Sequence, residues 1–125
     1  MIDHVSIGVA DLETAGAFYD SVLTPLEYDR YLDRSDAIGY RSRSRPGKFF
    51  LNLESEARAP SPGMHIAFAA PSREAVDEFH RVALEAGGED DGEPGLRPKY
   101  SDGYYGAFVV DPHGYRIEAV NRDPD

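Results

Sequence analysis

The sequence repeats itself once, and this repeat limits the folds open to the chain. Positions 4–23 (HVSIGVADLETAGAFYDSVL) align with positions 65–84 (HIAFAAPSREAVDEFHRVAL). His4 then matches His65, Glu13 matches Glu74, and most apolar positions fall on apolar positions. A period of about 60 residues is too long for a solenoid repeat. The pattern therefore predicts one module that occurs twice.

Each half is expected to contain one strand, one helix and three more strands. In the first half, alternating apolar residues predict a strand at 2–9. Helical spacing of apolar residues then predicts a helix that Asp11 caps and Pro25 ends. Short strands follow near 26–32, 36–41 and 48–54.

The second half repeats this order after a linker rich in proline and glycine. A strand is predicted at 64–70, followed by a helix that Ser72 caps and that Gly87 and Gly88 end. Three strands follow, near 95–100, 104–110 and 115–121, the last two joined by the turn Asp111-Pro112-His113-Gly114. The expected organisation is a single domain at 1–125, with module 1 at about 1–56, a linker at 57–63 and module 2 at about 64–125.

Composition excludes several classes of site and partner. The chain has 125 residues, 41% of them hydrophobic, and no cysteine, so disulfides and thiolate sites are excluded. Its net charge of −10 opposes binding to nucleic acid or to an anionic membrane. No apolar run approaches the roughly 20 residues that span a bilayer. We therefore expect a cytoplasmic protein whose partner is a small molecule.

The two matching histidines lie in strands whose faces differ in character. Bulky apolar residues alternate with the histidine face in both strands, and they are expected to pack on the helix. The histidine faces carry small side chains beside His4 and His65, namely Ser6, Gly8, Ala67 and Ala69. Small residues next to a large polar one predict a cavity.

The last strand adds a third polar group of the same kind. In YRIEAV, Ile117 and Ala119 form the packing face, and Glu118 points the other way. A carboxylate there is costly to bury unless it is paired or bound to a cation. Two histidines and one carboxylate form the facial set used for non-haem Fe(II), although each alone is more often structural. Of the other histidines, His80 on the second helix is expected to be solvated, and His113 in the turn is expected to be a surface residue.

At these residues the chain resembles the vicinal oxygen chelate superfamily, which includes glyoxalase I, bleomycin-resistance proteins and extradiol dioxygenases. The resemblance rests on IDHVSIGVADLETAGAFYDSVL, GMHIAF and above all AFVVDPHGYRIEAV. It implies an α+β fold of two tandem βαβββ modules. Their curved mixed sheets would form a half-open barrel around a cavity that holds a divalent metal.

The resemblance also implies roles for individual residues. His4, His65 and Glu118 match metal ligands of the family, and the ion would be Fe, Mn, Zn, Ni or Co. In glyoxalase-type members the fourth strand of the first module supplies another ligand. That strand carries Asn52 here, a weak neutral ligand, with Glu54 further along at the rim. This departure brings the site closer to the dioxygenase pattern.

Further candidates lie near the closing hairpin. Tyr104 is expected on the cavity face, where it would donate a hydrogen bond to a substrate oxyanion or position the substrate, unless it is a structural aromatic. Arg97, Lys99 and Tyr100 would meet an anionic substrate at the mouth, or they are strand-edge residues. The cavity walls are expected to include Phe50 and Phe108.

Two functional classes follow from these features. The first is a metal-dependent lyase, isomerase or dioxygenase that acts on a small substrate with adjacent oxygens and stabilises an oxyanion. The second is a metal-free protein that binds or sequesters a small molecule, as bleomycin-resistance proteins do. We expect a homodimer, in which modules pair either within one chain or between two.

Overall fold

A computed structural model describes residues 1–123 of the chain. It contains two helices and two four-stranded sheets, and the two halves have the same order of elements. The elements are β1 (His4–Val9), α1 (Leu12–Leu23), β2 (Tyr28–Asp33), β3 (Ala37–Ser42), β4 (Lys48–Leu53), β5 (Ile66–Ala69), α2 (Arg73–Glu85), β6 (Glu89–Leu96), β7 (Tyr105–Val110) and β8 (Arg116–Asn121). We call β1 to β4 with α1 module 1, and β5 to β8 with α2 module 2.

Both modules have the same sheet topology. The strand order is β1-β4-β3-β2 in the first sheet and β5-β8-β7-β6 in the second. Strand β1 runs parallel to β4, and β5 runs parallel to β8. All other neighbouring strands are antiparallel. These are mixed sheets that do not close into a barrel, and they confirm the predicted fold class.

The first helix begins and ends where the sequence predicts. Asp11 accepts hydrogen bonds from the backbone nitrogen and the hydroxyl of Thr14, at 3.0 and 2.7 Å, and so caps the first turn. The helix ends before Pro25, which cannot continue it. Its buried face consists of Ala15, Gly16, Phe18, Tyr19, Val22 and Leu23.

The second helix follows the same rules at both ends. Ser72 accepts a hydrogen bond from the backbone nitrogen of Ala75 at 3.1 Å. Gly87 adopts a left-handed conformation with φ of 102°, which lets Gly88 donate its N–H to the carbonyl of Ala83 at 2.8 Å. The two glycines therefore end α2 as predicted.

The prediction that His80 is solvated was wrong. His80 on α2 is buried, and its Nε2 lies 2.9 Å from Oδ1 of Asp90 in β6. It is covered because β6 runs beside the helix. His113 is half-buried in the turn between β7 and β8.

The sixth strand also lies elsewhere than predicted. We expected it near 95–100, but it covers Glu89–Leu96, in the sequence EDDGEPGL. Acidic residues, glycine and proline have low strand propensity, so the pattern gave no signal. The segment is an edge strand whose register with β7 shifts twice, around Gly92 and between Gly92 and Gly95. Edge strands with such irregularities tolerate proline.

The apolar faces of both sheets and both helices form one core. Its largest fully buried side chains include Tyr19, Tyr40, Phe18, Phe49 and Phe79. Hydrogen bonds join the modules within the described residues: the hydroxyl of Tyr19 donates to Asp111 at 2.5 Å, and that of Tyr115 donates to the carbonyl of Gly8 at 2.6 Å. No helix within residues 1–123 is long and apolar enough to cross a membrane.

Candidate metal and substrate site

The strongest polar cluster pairs His65 with Glu118. Nε2 of His65 lies 3.0 Å from Oε1 of Glu118. The Glu118 side chain is 1% exposed, whereas the His65 side chain is 45% exposed. Because β5 and β8 are parallel neighbours, with Ala67 opposite Glu118, the histidine just before β5 reaches the carboxylate. A buried carboxylate thus meets an imidazole that is open to solvent.

Tyr104 holds the other oxygen of the same carboxylate. Its hydroxyl donates a short hydrogen bond to Oε2 of Glu118. Gly106 makes this contact feasible, because a Cβ atom there would lie 3.1 Å from Oε2 and 3.2 Å from Cε1 of Tyr104. Burial, together with the hydrogen bond to Glu118, raises the pKa of the Tyr104 phenol above its ordinary value. The phenol is therefore a hydrogen-bond donor at neutral pH.

We call the sheet face that carries Glu118, together with His65, Tyr104 and Phe108, the site face. Cations lie over its aromatic rings and beside them. Phe108 pairs with Glu118 across β7 and β8, and its ring lies 5.9 Å from that of His65. Each of three cations lies over one ring: Arg97 over Phe108 at 5.5 Å, Lys99 over Tyr100 at 5.2 Å, and Arg122 over Tyr104 at 4.8 Å.

Arg122 was missed by the sequence reasoning, although a signal for it exists. Residues 118, 120 and 122 alternate along one strand direction, so Arg122 continues the face that carries Glu118. Arg122 lies just beyond the end of β8, so a pattern confined to the strand does not include it.

His4 does not join the pair of His65 and Glu118. Its Nδ1 lies 2.9 Å from Oδ1 of Asp3, and its ring lies 5.4 Å from that of Phe50. Within residues 1–123, no three His, Cys, Asp or Glu side chains are grouped so that they could hold a metal ion. A single chain therefore brings two of the three candidate ligands together.

One cavity, lined by both candidate histidines, does not include the carboxylate in its lining. It has a volume of about 430 Å³ and lies where β1 and β5 begin, bordered by His4, His65, Lys48, Met64 and Phe68 among others. Glu118 is not among its lining residues. Because the polar cluster and the aromatic-backed cations lie around Glu118, we locate the candidate site at the site face.

The register of the two sheets shows which residue of module 1 corresponds to Glu118. Ser6 of β1 aligns with Ala67 of β5 in the sequence repeat. Ala67 lies opposite Glu118, whereas Ser6 lies opposite Phe50. Phe50 is thus the counterpart of Glu118, and Gly39 gives its ring room, since a Cβ there would lie 2.8 Å from that ring.

Asn52 and Glu54 lie further along the same direction. Asn52 is exposed and pairs with Gly8 and Ala37, and Glu54 is exposed beyond the end of β4. The position matching Glu118 is therefore apolar, two residues before the asparagine that we expected there. A carboxylate is present at this position only in module 2.

The donor pair is chemically suited to a divalent ion but is incomplete. Imidazole nitrogen and carboxylate oxygen are ligands of Zn, Mn and Fe. Two ligands at about 2.1 Å from one ion and at right angles lie about 3.0 Å apart, which is the spacing of His65 and Glu118. Two protein ligands alone make a weak site, so a third donor is needed.

Paired βαβββ modules with a polar site on a sheet face define a class of small-molecule-binding and metal-binding proteins. The chain matches the Glyoxalase/Bleomycin resistance protein/Dioxygenase superfamily over residues 1–119, and it belongs to this superfamily. No curated protein is significantly similar in sequence.

Solved structures agree with this assignment. The chain is 33% identical to a glyoxalase/bleomycin resistance protein from Albidiferax ferrireducens T118, covering 98% of this chain and 99% of that one, with a TM-score of 0.86. A glyoxalase/bleomycin resistance protein/dioxygenase family enzyme from Burkholderia phytofirmans PsJN is 19% identical, with coverages of 97% and 98% and a TM-score of 0.76. The fosfomycin resistance protein FosX from Listeria monocytogenes is 17% identical, with coverages of 97% and 92% and a TM-score of 0.71. The last two likenesses concern the fold alone.

Proposed function

We propose that this protein is a metal-dependent enzyme that acts on a small substrate with two adjacent oxygen atoms. The observation that carries the proposal is the buried carboxylate of Glu118, held between the imidazole of His65 and the phenol of Tyr104. A carboxylate that is 1% exposed needs compensation, and one half-exposed histidine compensates it only in part. A divalent cation at this point would complete the compensation.

We propose that the third ligand, His4, comes from a second copy of the chain. In one chain His4 contacts Asp3 and Phe50 rather than Glu118. Its side chain is 51% exposed, on the polar face of the first sheet. A twofold homodimer would place module 1 of one copy against module 2 of the other, and each such pair would hold one complete site.

The residues of the chain have separable tasks in this site. A divalent cation held there would supply a Lewis acid for a negatively charged substrate oxygen. Tyr104, whose raised pKa keeps it protonated, orients Glu118 through its hydrogen bond and would donate to a substrate oxyanion if that bond opened. Phe108 forms an apolar wall that limits the access of water.

A metal titration tests the proposal directly. Purified untagged protein, freed of metal by chelation, is titrated with Co(II), Zn(II) or Mn(II), and binding is followed by calorimetry and by Co(II) absorbance. We expect Glu118→Gln to abolish tight binding while the fold is kept. Glu54→Gln is the matched control, since it removes an equal charge from an exposed position, and it should bind as the unaltered protein does.

The same titration separates the two functional classes. Protein that binds no divalent metal above the level of Glu118→Gln, yet binds small molecules with unchanged affinity after chelation, is a sequestering protein of the bleomycin-resistance kind. That result would overturn the enzyme proposal.

A mixing experiment tests whether each site spans two chains. His4→Ala and Glu118→Ala chains each lack one ligand, and in a mixed dimer one of the two sites regains all three. We expect metal binding to return on mixing under conditions of chain exchange. If exchange is demonstrated by mass-labelled chains and no site returns, each site lies within one chain. A monomer by light scattering at high protein concentration would exclude the dimer.

A further inference from the structure

Three cations surround the candidate site in a strongly acidic protein. The chain has 13 Lys and Arg against 23 Asp and Glu. Lys99 and Arg122 are nevertheless exposed around the site face, and Arg97 is half-buried there. Among residues 1–123, no carboxylate oxygen lies within 4.0 Å of their charged groups. Their positive charge is thus left for another partner.

Each cation is held by an aromatic ring rather than by an anion. The guanidinium of Arg122 lies over the ring of Tyr104, whose hydroxyl bonds to Glu118, and that of Arg97 lies over Phe108, which faces Glu118. A guanidinium stacked on a ring can still direct the N–H groups at its edge toward a planar or tetrahedral oxyanion, and in Arg97 one of these nitrogens already donates to a backbone carbonyl. These two arginines follow the ends of two different strands, β6 and β8, and each lies over a ring that borders Glu118.

The backbone near Arg97 leaves room for its side chain. Nη2 donates a hydrogen bond to the carbonyl of Glu93 at 2.6 Å, which fixes the guanidinium. A Cβ atom at Gly95 would lie 3.2 Å from Nη1, and one at Gly92 would lie 3.3 Å from Nη2. Larger residues at these glycines would crowd the guanidinium. The glycines of β6 therefore leave the space that the guanidinium occupies beside the Phe108 ring.

Taking the site proposed above as given, we infer that its substrate is a small organic anion. Arg122 and Arg97 would hold its carboxylate or phosphate-type group, and Lys99 would add charge at the rim. The adjacent oxygens of the substrate would then face His65 and Glu118. The negative net charge would otherwise repel such a ligand, so local cations are required.

The test uses metal-free protein, so that its result does not depend on the metal. Glycolate is compared with glycolamide, its uncharged isostere, and hydroxymethylphosphonate with its neutral dimethyl ester. Binding is measured by NMR titration at constant ionic strength. We expect at least one anion to bind about tenfold more tightly than its neutral counterpart. The stronger anion shows whether the group is a carboxylate or of the phosphate type.

Two variants and one control locate the binding site. Arg122→Gln and Arg97→Gln should each weaken the preferred anion about fivefold or more and leave the neutral probes unchanged. Arg34→Gln removes the same charge from an exposed position that is paired with Asp36, and it should have no effect. If neutral probes bind as well as anions, or if Arg34→Gln weakens binding equally, the inference is overturned.

The outcomes also separate this inference from the proposed function. Loss of the anion preference with intact metal binding would overturn the anionic substrate alone. An arginine-dependent anion preference in a protein that binds no metal would support the inference and overturn the enzyme proposal.

Discussion

Phe50 occupies in the first sheet the position that Glu118 occupies in the second. The two residues lie opposite Ser6 and Ala67, which match in the sequence repeat. One copy of the module thus presents a carboxylate at this point and the other an aromatic ring. A complete site would therefore have two histidines and one carboxylate, which leaves coordination positions open for substrate.

This relationship predicts the result of restoring the missing carboxylate. Phe50→Glu should raise the affinity for Zn(II) about tenfold or more, because it adds a charged ligand beside His4. Asn52→Glu is the matched control, two residues along the same strand, and should leave the affinity nearly unchanged. Calorimetric titration of both variants with Zn(II) measures the two affinities. The reverse order of affinities would place the ligand position at Asn52.

Removal of the phenol that holds Glu118 should weaken the metal site without unfolding the protein. Partners that orient a metal ligand typically contribute about 10-fold to 100-fold in affinity. We expect Tyr104→Phe to lose about tenfold in Co(II) affinity. Tyr105→Phe serves as the control, because that hydroxyl bonds to Asp77 at 2.6 Å, away from Glu118. Equal affinities in the two variants would show that Tyr104 does not orient the carboxylate.

A methyl group at Gly106 should disturb the same contact from the backbone side. The added carbon would lie 3.1 Å from Oε2 of Glu118, so the carboxylate or the tyrosine must shift. We expect Gly106→Ala to lower metal affinity about as much as Tyr104→Phe does. In Gly95→Ala, the new carbon faces only the flexible end of Arg97, so metal binding should persist. A crystal structure of Gly106→Ala would show which group moves.

The hydrogen bond from Tyr19 to Asp111, which joins the two modules, should make the folded protein less stable at alkaline pH. Burial and the neighbouring Asp111 raise the pKa of Tyr19 well above its ordinary value. The raised folded-state pKa gives a stability contribution that is fully present below about pH 10 and is lost as pH rises further. Urea midpoints should therefore fall as the pH rises above about 10.

Replacement of Tyr19 measures how much of the alkaline loss of stability is due to this residue. Tyr19→Phe should be less stable by about 1–3 kcal/mol at neutral pH, because Asp111 loses a buried donor. Its urea midpoint should nevertheless fall less on going to alkaline pH than that of the unaltered protein. Parallel unfolding curves, followed by circular dichroism, give both quantities. An equal alkaline loss in the two proteins would assign the effect to other buried tyrosines.

Alternation along strands made much of the fold predictable. It assigned the apolar and polar faces of β1, β5 and β8, because side chains in a strand point to opposite sides. The helix limits followed from local chemistry at Asp11 and Ser72, which need no distant partner. Such features are encoded within a few residues of where they act.

Features that depend on distant partners could not be predicted in this way. The edge strand β6 forms through pairing with β7, despite the weak propensity of EDDGEPGL. Whether His4 meets Glu118 depends on how the modules pack, and this packing rests on pairs such as Tyr19 with Asp111, separated by 92 positions. The match of Phe50 to Glu118 required the register of two parallel strand pairs.

The contacts that join the two modules determine where the polypeptide can be cut without loss of the fold. The segment 54–65 contains no helix or strand, and the hydrogen bonds that join the modules, Tyr19 to Asp111 and Tyr115 to Gly8, lie outside it. Cleavage within this segment removes the covalent tether and spares the shared core. Two separately synthesised fragments should then reassemble by complementation.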